Sequence, residues 1–237
     1  MAAAAGAGRV RRLWVEERRR DRAEVAAIVE TLGPDLVKLV PDVRAMAETD
    51  APQGVVAECE PIMPVSLDEM AGPGTGLVVL DHIEDPHNVG AVARSALAAG
   101  MTGMVVSSRR AAPLSATAFK AAAGALEMIP VAVVGSIPEA LSRLKSHDVW
   151  SVGLEAGSPT SLFGLAVLTE PVAVVVGAEG SGLSALVGKR CEVLASIPMA
   201  RGTESLNASV SAAIACFEVM RVRNDSSRSG DRSSVSE

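Results

Sequence analysis

The sequence predicts an α/β protein whose second half forms a mostly parallel sheet. In that half, short apolar runs alternate with stretches of helical periodicity. The runs lack a polar residue at every second position, as in the Val-Ala-Val-Val-Val segment that starts at Val172. Such runs are typical of strands buried on both faces, as in parallel sheets. Because 49% of the 237 residues are apolar, the chain can fill a substantial core.

Local patterns predict each element of this half. Expected strands cover residues 77–81, 103–107, 129–134, 149–154, 172–177 and 193–197, and expected helices cover 88–99, 115–126, 136–145 and 183–190. Ser136 is a suitable N-cap because Pro138 follows in the first turn. A final helix is expected to start at 205–207. Its apolar stripe, facing the core or a dimer partner, consists of Val210, Ala213, Ile214 and Phe217.

The first part of the chain is predicted to be a small, separate α/β unit. Expected strands cover 10–15, 36–40 and 54–59, and expected helices cover 22–32 and 43–48. The glycine-rich segment 71–76 is predicted to be a linker, which gives domains 1–70 and 71–223. Residues 224–237 are rich in Ser, Asp and Arg without apolar anchors, so they are predicted to be a disordered tail.

Composition narrows the possible functions. With two Trp, three Phe and no Tyr, the chain does not bind RNA mainly by stacking bases on aromatic rings. The net charge of -6 argues against a generally basic nucleic-acid coat. Arginines do cluster between residues 9 and 22, either as a phosphate-binding patch or as a solvated segment.

The three cysteines and three histidines lack the spacing of a metal site or a disulfide framework. A reducing cytoplasm is therefore the expected location, without a metal ion. We expect no membrane span, because no apolar run has the required length, and no secretory signal.

A polar loop at 81–88 follows the first strand of the second half and leads into a helix. Asn88 is expected to cap this helix. Gly90 and Arg94 are four residues apart on one helix face, and the missing side chain at Gly90 should leave room for Arg94 to lie back toward the loop. Taken alone, an ordinary strand-loop-helix with a surface arginine explains this segment equally well.

A glycine-rich loop follows the strand at 172–177. Gly177, Gly180 and Gly182 would let backbone amides approach a ligand at the carboxyl end of a parallel strand. The order GxxGxG differs from the GxGxxG of dinucleotide-binding proteins, and no Lys-Ser/Thr pair closes a nucleotide P-loop. A glycine turn without function is the alternative for this segment alone.

A third polar segment joins the last strand to the final helix. It begins at Ile197-Pro-Met199 and contains Ser205, Asn207 and Ser209. Helix capping accounts for one of these three polar side chains but hardly for all of them. The presence of the other two favours a functional site.

In order and spacing, the three segments resemble the motifs of the SpoU (TrmH-type) branch of the SPOUT methyltransferases. The matching residues are Asn88-x-Gly90-x-x-x-Arg94, Gly177-x-Glu179-Gly180-x-Gly182, Ile197-Pro-Met199 and Ser205-Leu206-Asn207-x-Ser209. The resemblance covers residues 77–221. Residues 52–57 also resemble the end of the small RNA-binding domain of rRNA-modifying members, which favours rRNA over tRNA as the substrate.

The resemblance implies a homodimeric RNA 2'-O-ribose methyltransferase that binds S-adenosylmethionine within a deep C-terminal trefoil knot. The implied catalytic residues are Asn88, Arg94, Glu179, Ser205 and Asn207. The implied cofactor-binding residues are Leu154, Gly177, Ile197, Met199, Leu206 and Asn207. An arginine side chain stays protonated and is a poor base, so Arg94 would stabilise negative charge on the 2'-oxygen.

Two departures from the family pattern stand out. Two-domain members usually carry more residues before the stretch that matches Val10, so the small RNA-binding domain looks truncated at its start. Ala208 replaces a common valine, a change expected to be tolerated. Two other functions stay open at this point: a non-catalytic RNA-binding protein of the same fold, and a nucleotide-dependent α/β enzyme such as a dehydrogenase, which the glycine order disfavours.

Overall fold

The computed structural model describes residues 1–48, 52–109, 111, 114–200 and 205–233, with side chains described as far as residue 227. The chain divides into two compact units, Met1–Met63 and Pro64–Glu237. This division lies seven residues before the predicted boundary at residue 70. Helix α3, Leu67–Met70, belongs to the second unit because Leu67 is buried in its core. The glycine-rich segment after it is a turn, in which the Thr75 hydroxyl donates to the Gly72 carbonyl at 2.6 Å.

The first unit is a three-stranded sheet with two helices. Strand β1, Val10–Glu16, lies between β2, Val37–Val40, and β3, Val55–Cys59. It pairs parallel with β2 and antiparallel with β3. Helices α1, Ala2–Gly6, and α2, Ala23–Leu32, contribute to a core with Leu13 and Val15. The prediction of a helix at 43–48 is wrong, because only a 3-10 turn forms there, at Arg44–Met46.

The second unit contains six parallel strands, in the order β6-β5-β4-β8-β7-β9. The strands are β4 Gly76–Leu80, β5 Gly103–Ser107, β6 Val131–Val134, β7 Trp150–Leu154, β8 Val172–Val176 and β9 Val193–Ala195. The predicted parallel sheet is confirmed by this pairing. As expected for such a sheet, β4 and β8 are apolar runs that are buried along their whole length. The loops after β4, β7, β8 and β9 leave the same edge of the sheet, where the predicted motifs also lie. The trefoil knot stays a prediction.

Helices flank this sheet. They are α4 Pro86–Ala98, α5 Ala116–Ala122, α6 Ile137–Ser146, α7 Ala185–Arg190 and α8 Ala208–Ser233. Ser136 caps α6 as predicted, with its hydroxyl accepting from Glu139 N at 3.4 Å. Helix α5 ends earlier than predicted, because Ala123 and Gly124 adopt φ angles of 49° and 96°. Left-handed residues of this kind commonly stop helices.

Helix α8 differs from prediction in two ways. Its buried face consists of Ala208, Ala212, Ala215, Cys216 and Val219. The predicted apolar stripe is therefore not the core face: Val210 is 46% exposed and Phe217 43% exposed. The helix also continues to Ser233, beyond residue 224, where the predicted tail begins. Within the described residues, no helix is long and apolar enough to cross a membrane.

The distal half of α8 is fastened to the unit by Arg223. Its guanidinium donates to the carbonyl oxygens of Thr75 at 2.6 Å, Glu170 at 2.7 Å, and Leu168 and Gly74 at 3.2 Å. On the solvent side, Arg221 pairs with Asp225 one turn further on, at 2.7 Å. These contacts explain why the helix persists in a polar sequence.

Candidate active site

The loop after β8 folds back on itself. Ala178 and Gly182 exchange backbone hydrogen bonds of 3.1 and 2.9 Å. A Cβ atom at Gly177 would lie 2.2 Å from the Gly182 carbonyl carbon and oxygen, so no larger residue fits there. Gly180 and Gly182 have φ angles of 77° and 65°. The glycines therefore serve first to close this loop, which presents Glu179 at its tip.

Three side chains from distant segments meet at this loop. The Asn88 amide nitrogen donates to Glu179 Oε1 at 3.0 Å. The Asn207 amide nitrogen also donates to Glu179 Oε1 and lies 3.2 Å from Asn88 Oδ1. One carboxylate oxygen thus receives two amide donors, which fixes the rotamer of Glu179. We call Asn88, Glu179 and Asn207 the amide–carboxylate cluster.

Asn207 also starts helix α8. Its Oδ1 accepts from Ser209 N at 2.8 Å and Val210 N at 3.2 Å, while the Ser209 hydroxyl donates to it at 2.6 Å. The amide therefore caps the helix with its oxygen and reaches the cluster with its nitrogen. Local capping accounts for Ser209.

The prediction that Asn88 caps α4 is wrong. The helix begins at Pro86, and the Asp85 carboxylate accepts from His87 N at 2.8 Å in the capping position. Proline at the first helical position was the signal that identifies Asp85 as the cap. Asn88 is 8% exposed and directs its side chain to Glu179.

The predicted relation between Gly90 and Arg94 is also wrong. A Cβ atom at Gly90 would lie 2.3 Å from the Ala118 carbonyl oxygen and 2.6 Å from Ala121 Cβ. Gly90 therefore lets α5 pack directly on α4. Arg94 is exposed, lines neither of the two cavities described below, and makes no hydrogen bond or ion pair with any residue that the structure describes.

A cavity of about 430 Å³ lies beyond the carboxyl ends of β7, β8 and β9. We call it the glycine-loop cavity. Five of the six predicted cofactor-binding residues line it, namely Leu154, Gly177, Ile197, Met199 and Leu206. Ser205 lines it as well, whereas Asn207 lies beside it in the amide–carboxylate cluster. Sequence analysis missed Glu155, an exposed carboxylate on the same wall.

A second cavity of about 590 Å³ adjoins the first. We call it the histidine cavity, because His82 lines it together with Asn88. Glu179, Gly182 and Ala208 line both cavities and form the boundary between them. A group in one cavity can therefore meet a group in the other beside the Glu179 carboxylate.

His82, which lines the histidine cavity, and Asp81, which contacts it, are not among the predicted site residues. Asp81 is fully buried at the end of β4, and its Oδ2 accepts from Ser184 N at 2.7 Å. His82 Nδ1 lies 2.6 Å from the other oxygen, Oδ1. A signal was present, because a charged residue directly after a fully apolar strand requires a buried partner.

Near the site, burial raises the pKa of the Cys191 thiol to about 12, and the negative charges of Asp81 and Glu192 add to the effect. Cys191 therefore stays a neutral thiol at physiological pH. No three His, Cys, Asp or Glu side chains within the described part of the chain are arranged to hold a metal ion.

Comparison with known proteins identifies the family. The model of the SpoU rRNA Methylase family matches residues 76–217, well over half of the chain. The chain belongs to this family. The match contains the sheet edge, both asparagines of the amide–carboxylate cluster and the glycine loop.

Related sequences extend over both units. The 23S rRNA (guanosine-2'-O-)-methyltransferase RlmB of Ralstonia nicotianae is 37% identical over 223 residues, covering 90% of this chain and 88% of that protein. A protein of Synechocystis that is named an uncharacterized tRNA/rRNA methyltransferase is 49% identical over 147 residues. This match covers 62% of this chain but only 38% of that protein.

Solved structures of the family have the same fold. The SpoU methyltransferase AviRb of Streptomyces viridochromogenes, in complex with the cofactor AdoMet, superimposes with a TM-score of 0.79 at 27% identity, over 93% of this chain and 86% of that one. The AdoMet-bound rRNA methyltransferase of Sinorhizobium meliloti gives 0.76 at 26% identity, over 93% and 85%.

Proposed function

We propose that this protein transfers a methyl group from S-adenosylmethionine to a ribose 2'-hydroxyl in RNA, with rRNA as the substrate. The observation that carries the proposal is the pair of adjoining cavities with Glu179 on their common boundary. Methyl transfer is an in-line displacement, so donor and acceptor must approach from opposite sides of the transferred carbon. One cavity for each reactant meets this requirement.

The glycine-loop cavity fits the cofactor. Leu154, Ile197 and Leu206 offer apolar surface for an adenine ring, and Gly177 keeps the loop backbone close to the cavity. Ser205, Met199 and the adjacent Asn207 complete the proposed cofactor-binding set. When bound, S-adenosylmethionine supplies an activated methyl group on a sulfonium sulfur.

The amide–carboxylate cluster would orient the ribose. Asn88 and Asn207 both donate to Oε1 of Glu179, and the second carboxylate oxygen has no partner among the described residues, so it can accept a hydrogen bond from a ribose hydroxyl. Arg94 would stabilise the negative charge that develops on the 2'-oxygen, an effect worth about 3–4 kcal/mol for a well-placed donor. Ser205 lies close enough to the same region to contact the substrate or cofactor.

We propose that the protein acts as a homodimer. Phe217 on the exposed stripe of α8 lies beside Glu218, which accepts from Gly164 N at 2.7 Å, next to Phe163. Phe163 is 49% and Phe217 43% exposed, so both contribute apolar surface that a second copy would cover. Arg94 lies outside both cavities of its own chain. In a dimer, the Arg94 side chain of one copy could instead reach the cavities of the other copy.

Two measurements test the dimer. Phe217→Asp should convert it to monomers in sedimentation velocity, whereas Leu186→Asp, at a 56% exposed leucine on α7, should not. Mixing Arg94→Ala with Glu179→Gln should restore part of the activity if the two residues act across the interface. A wild-type protein that sediments as a monomer at assay concentration would exclude the dimer.

The first unit would bind RNA. Arg11 and Arg18 form ion pairs with Glu60 and Glu16, so these two arginines are partly neutralised. Arg12 lies over the Trp14 ring at 5.6 Å, and Lys38 is the register partner of Trp14 on β2. Arg12→Ala and Lys38→Ala should each weaken RNA binding without changing kcat. Each should also reduce, by about one, the slope of the logarithm of the RNA-binding constant against the logarithm of the salt concentration.

The choice of rRNA, in the cytoplasm, rests on the relatives. RlmB of Ralstonia nicotianae is named for 23S rRNA, and its match covers most of both chains. A tRNA substrate is the second candidate, because the Synechocystis relative is named a tRNA/rRNA methyltransferase.

The decisive experiment incubates the protein with S-adenosylmethionine and unmodified rRNA and maps 2'-O-methyl nucleosides by mass spectrometry. We expect one new modified position, which is lost in Arg94→Ala and retained in Arg190→Ala, a matched loss of an exposed arginine on α7. Binding of S-adenosylhomocysteine without methylation of rRNA or tRNA would support a non-catalytic RNA-binding protein. Thermal stabilisation by NAD in place of S-adenosylhomocysteine would refute the proposal.

A further inference from the structure

We infer that Asp81 and His82 form a recognition element for the target nucleotide, in which His82 Nε2 accepts a hydrogen bond from an N–H group of its base. The inference rests on the proposed RNA methylation and adds to it a residue pair outside the amide–carboxylate cluster. His82 lies on the wall of the histidine cavity, the cavity left for RNA when the cofactor fills the other, and the fully buried Asp81 lies behind it.

Asp81 is a fixed anchor. Its side chain is fully buried, and both of its oxygens are engaged, one by Ser184 N at 2.7 Å and the other by His82 Nδ1 at 2.6 Å. A buried carboxylate is costly unless such partners satisfy it. Ser184 N belongs to the residue before α7, so the carboxylate is tied to the second side of the cavity.

The backbone of His82 is held in an uncommon conformation. Its φ angle is 57°, in the left-handed region that glycine occupies readily and other residues at a cost. This conformation is unfavourable for a residue with a side chain. It does place the imidazole against Asp81, and the ring then lines the histidine cavity.

The contact with Asp81 determines which imidazole nitrogen faces the cavity. A carboxylate only accepts hydrogen bonds, so the neutral imidazole carries its proton on Nδ1. Nε2 is then an acceptor. It has no hydrogen-bond partner among the residues that the structure describes, and the side chain is 41% exposed.

The cavity provides the right surroundings for a base. Its volume of about 590 Å³ is within the usual range for a ligand of nucleotide size. Asn88 and Glu179 lie on its wall next to the cofactor, where the ribose must react. A base attached to that ribose extends along the remaining wall, on which His82 supplies a hydrogen-bond acceptor for its edge.

Two substitutions test the pair. His82→Gly removes the imidazole and relieves the left-handed conformation, a gain that opposes the loss of the contact with Asp81 Oδ1, so the thermal stability should change little. Asp81→Asn can still accept from Ser184 N, but its amide then donates to Nδ1 and reverses the imidazole tautomer, which makes Nε2 a donor. Each should lower kcat/KM about tenfold, mainly through KM, by loss of one hydrogen bond.

The assay uses a short RNA that contains the position methylated by the wild type, and the same RNA with the base of that nucleotide removed. If His82 contacts the base, His82→Gly lowers kcat/KM only on the intact RNA and equals the wild type on the abasic RNA. An equal loss on both RNAs would place the contact on ribose or phosphate, or assign His82 a purely structural role, and would overturn the inference. Unchanged kcat/KM in both variants would also overturn it.

Wild-type methylation of the intact RNA tests the proposed function separately, because it does not depend on either variant. Thermal stabilisation by S-adenosylhomocysteine supplies a second readout. Both variants should keep the wild-type shift, since Asp81 and His82 do not line the glycine-loop cavity. Loss of that shift would mean that the pair supports the cofactor site and would overturn the inference.

Discussion

Gly90 sets the distance between α4 and α5, and this makes Gly90→Ala a strong test of the packing. The new Cβ would lie 2.3 Å from the Ala118 carbonyl oxygen, against an ordinary contact of 3.4 Å or more. One helix must therefore move by about 1 Å, and the obstacle is backbone that cannot rotate away. Overpacking of this severity costs about 3 kcal/mol. The higher helix propensity of alanine offsets about 1 kcal/mol. The net loss of stability is about 2 kcal/mol.

The chain offers a matched control. Gly188 lies in α7 with nothing within 4 Å of its Cβ position, so Gly188→Ala changes propensity without a clash. In thermal unfolding followed by circular dichroism, the Tm of a domain of this size shifts by about 2–4 °C for each kcal/mol of unfolding free energy. We expect Gly90→Ala to lower Tm by about 4–8 °C and Gly188→Ala to raise it by about 2–4 °C. A Gly90→Ala protein as stable as Gly188→Ala would show that α5 does not pack directly on Gly90.

The same substitution should impair catalysis. Asn88 lies two residues before Gly90 on α4, and its 3.0 Å hydrogen bond to Glu179 cannot survive a shift of about 1 Å without rearrangement. A displacement of this size costs up to about 100-fold in rate. Single-turnover methylation of Gly90→Ala should therefore slow by about 10- to 100-fold, while Gly188→Ala keeps the wild-type rate.

Three further outcomes are expected. Asn207→Asp should keep the cap of α8 but abolish most methyl transfer, because a second carboxylate then faces Glu179. Asn207→Ala should lose activity and about 1 kcal/mol of stability. Arg223→Met should destabilise the protein by about 3 kcal/mol in urea unfolding, since four carbonyl groups lose a charged donor. Burial raises the pKa of Cys191 and Cys216 to about 12, so these thiols should resist iodoacetamide at pH 8. Because their pKa is higher folded than unfolded, their contribution to stability should be full below pH 9 and decline between pH 9 and 12.

The sequence predicted the sheet well and the helix details poorly, for physical reasons. Strands such as β4 and β8 are continuous apolar runs, and their ends follow from where polar residues begin. The buried face of α8 was missed because it consists mostly of alanines such as Ala212 and Ala215, which allow close packing but contribute little to an apolar pattern. Its length was missed because the carbonyl groups that hold Arg223 come from segments far away in sequence.

The features of the site also divide into those that local sequence predicts and those that depend on contacts between distant segments. The three motifs identified the residues that line the glycine-loop cavity and those of the amide–carboxylate cluster, because their types and spacing were sufficient for recognition. The function of Gly90 was not predictable, since it depends on how close α5 lies. Asp81 was not recognised as a site residue because its partner, Ser184 N, is 103 positions further along the chain.

The amide–carboxylate cluster also has a consequence for folding. Two of its hydrogen bonds join residues 91 and 119 positions apart, whereas the helices form from local contacts. Contacts between distant segments generally form slowly, because long loops must close first. During refolding, far-UV circular dichroism should therefore recover before methyl transfer does. For this protein, catalytic turnover is a stricter criterion of the native state than any measure of secondary structure, and stored or heat-stressed preparations are best judged by it.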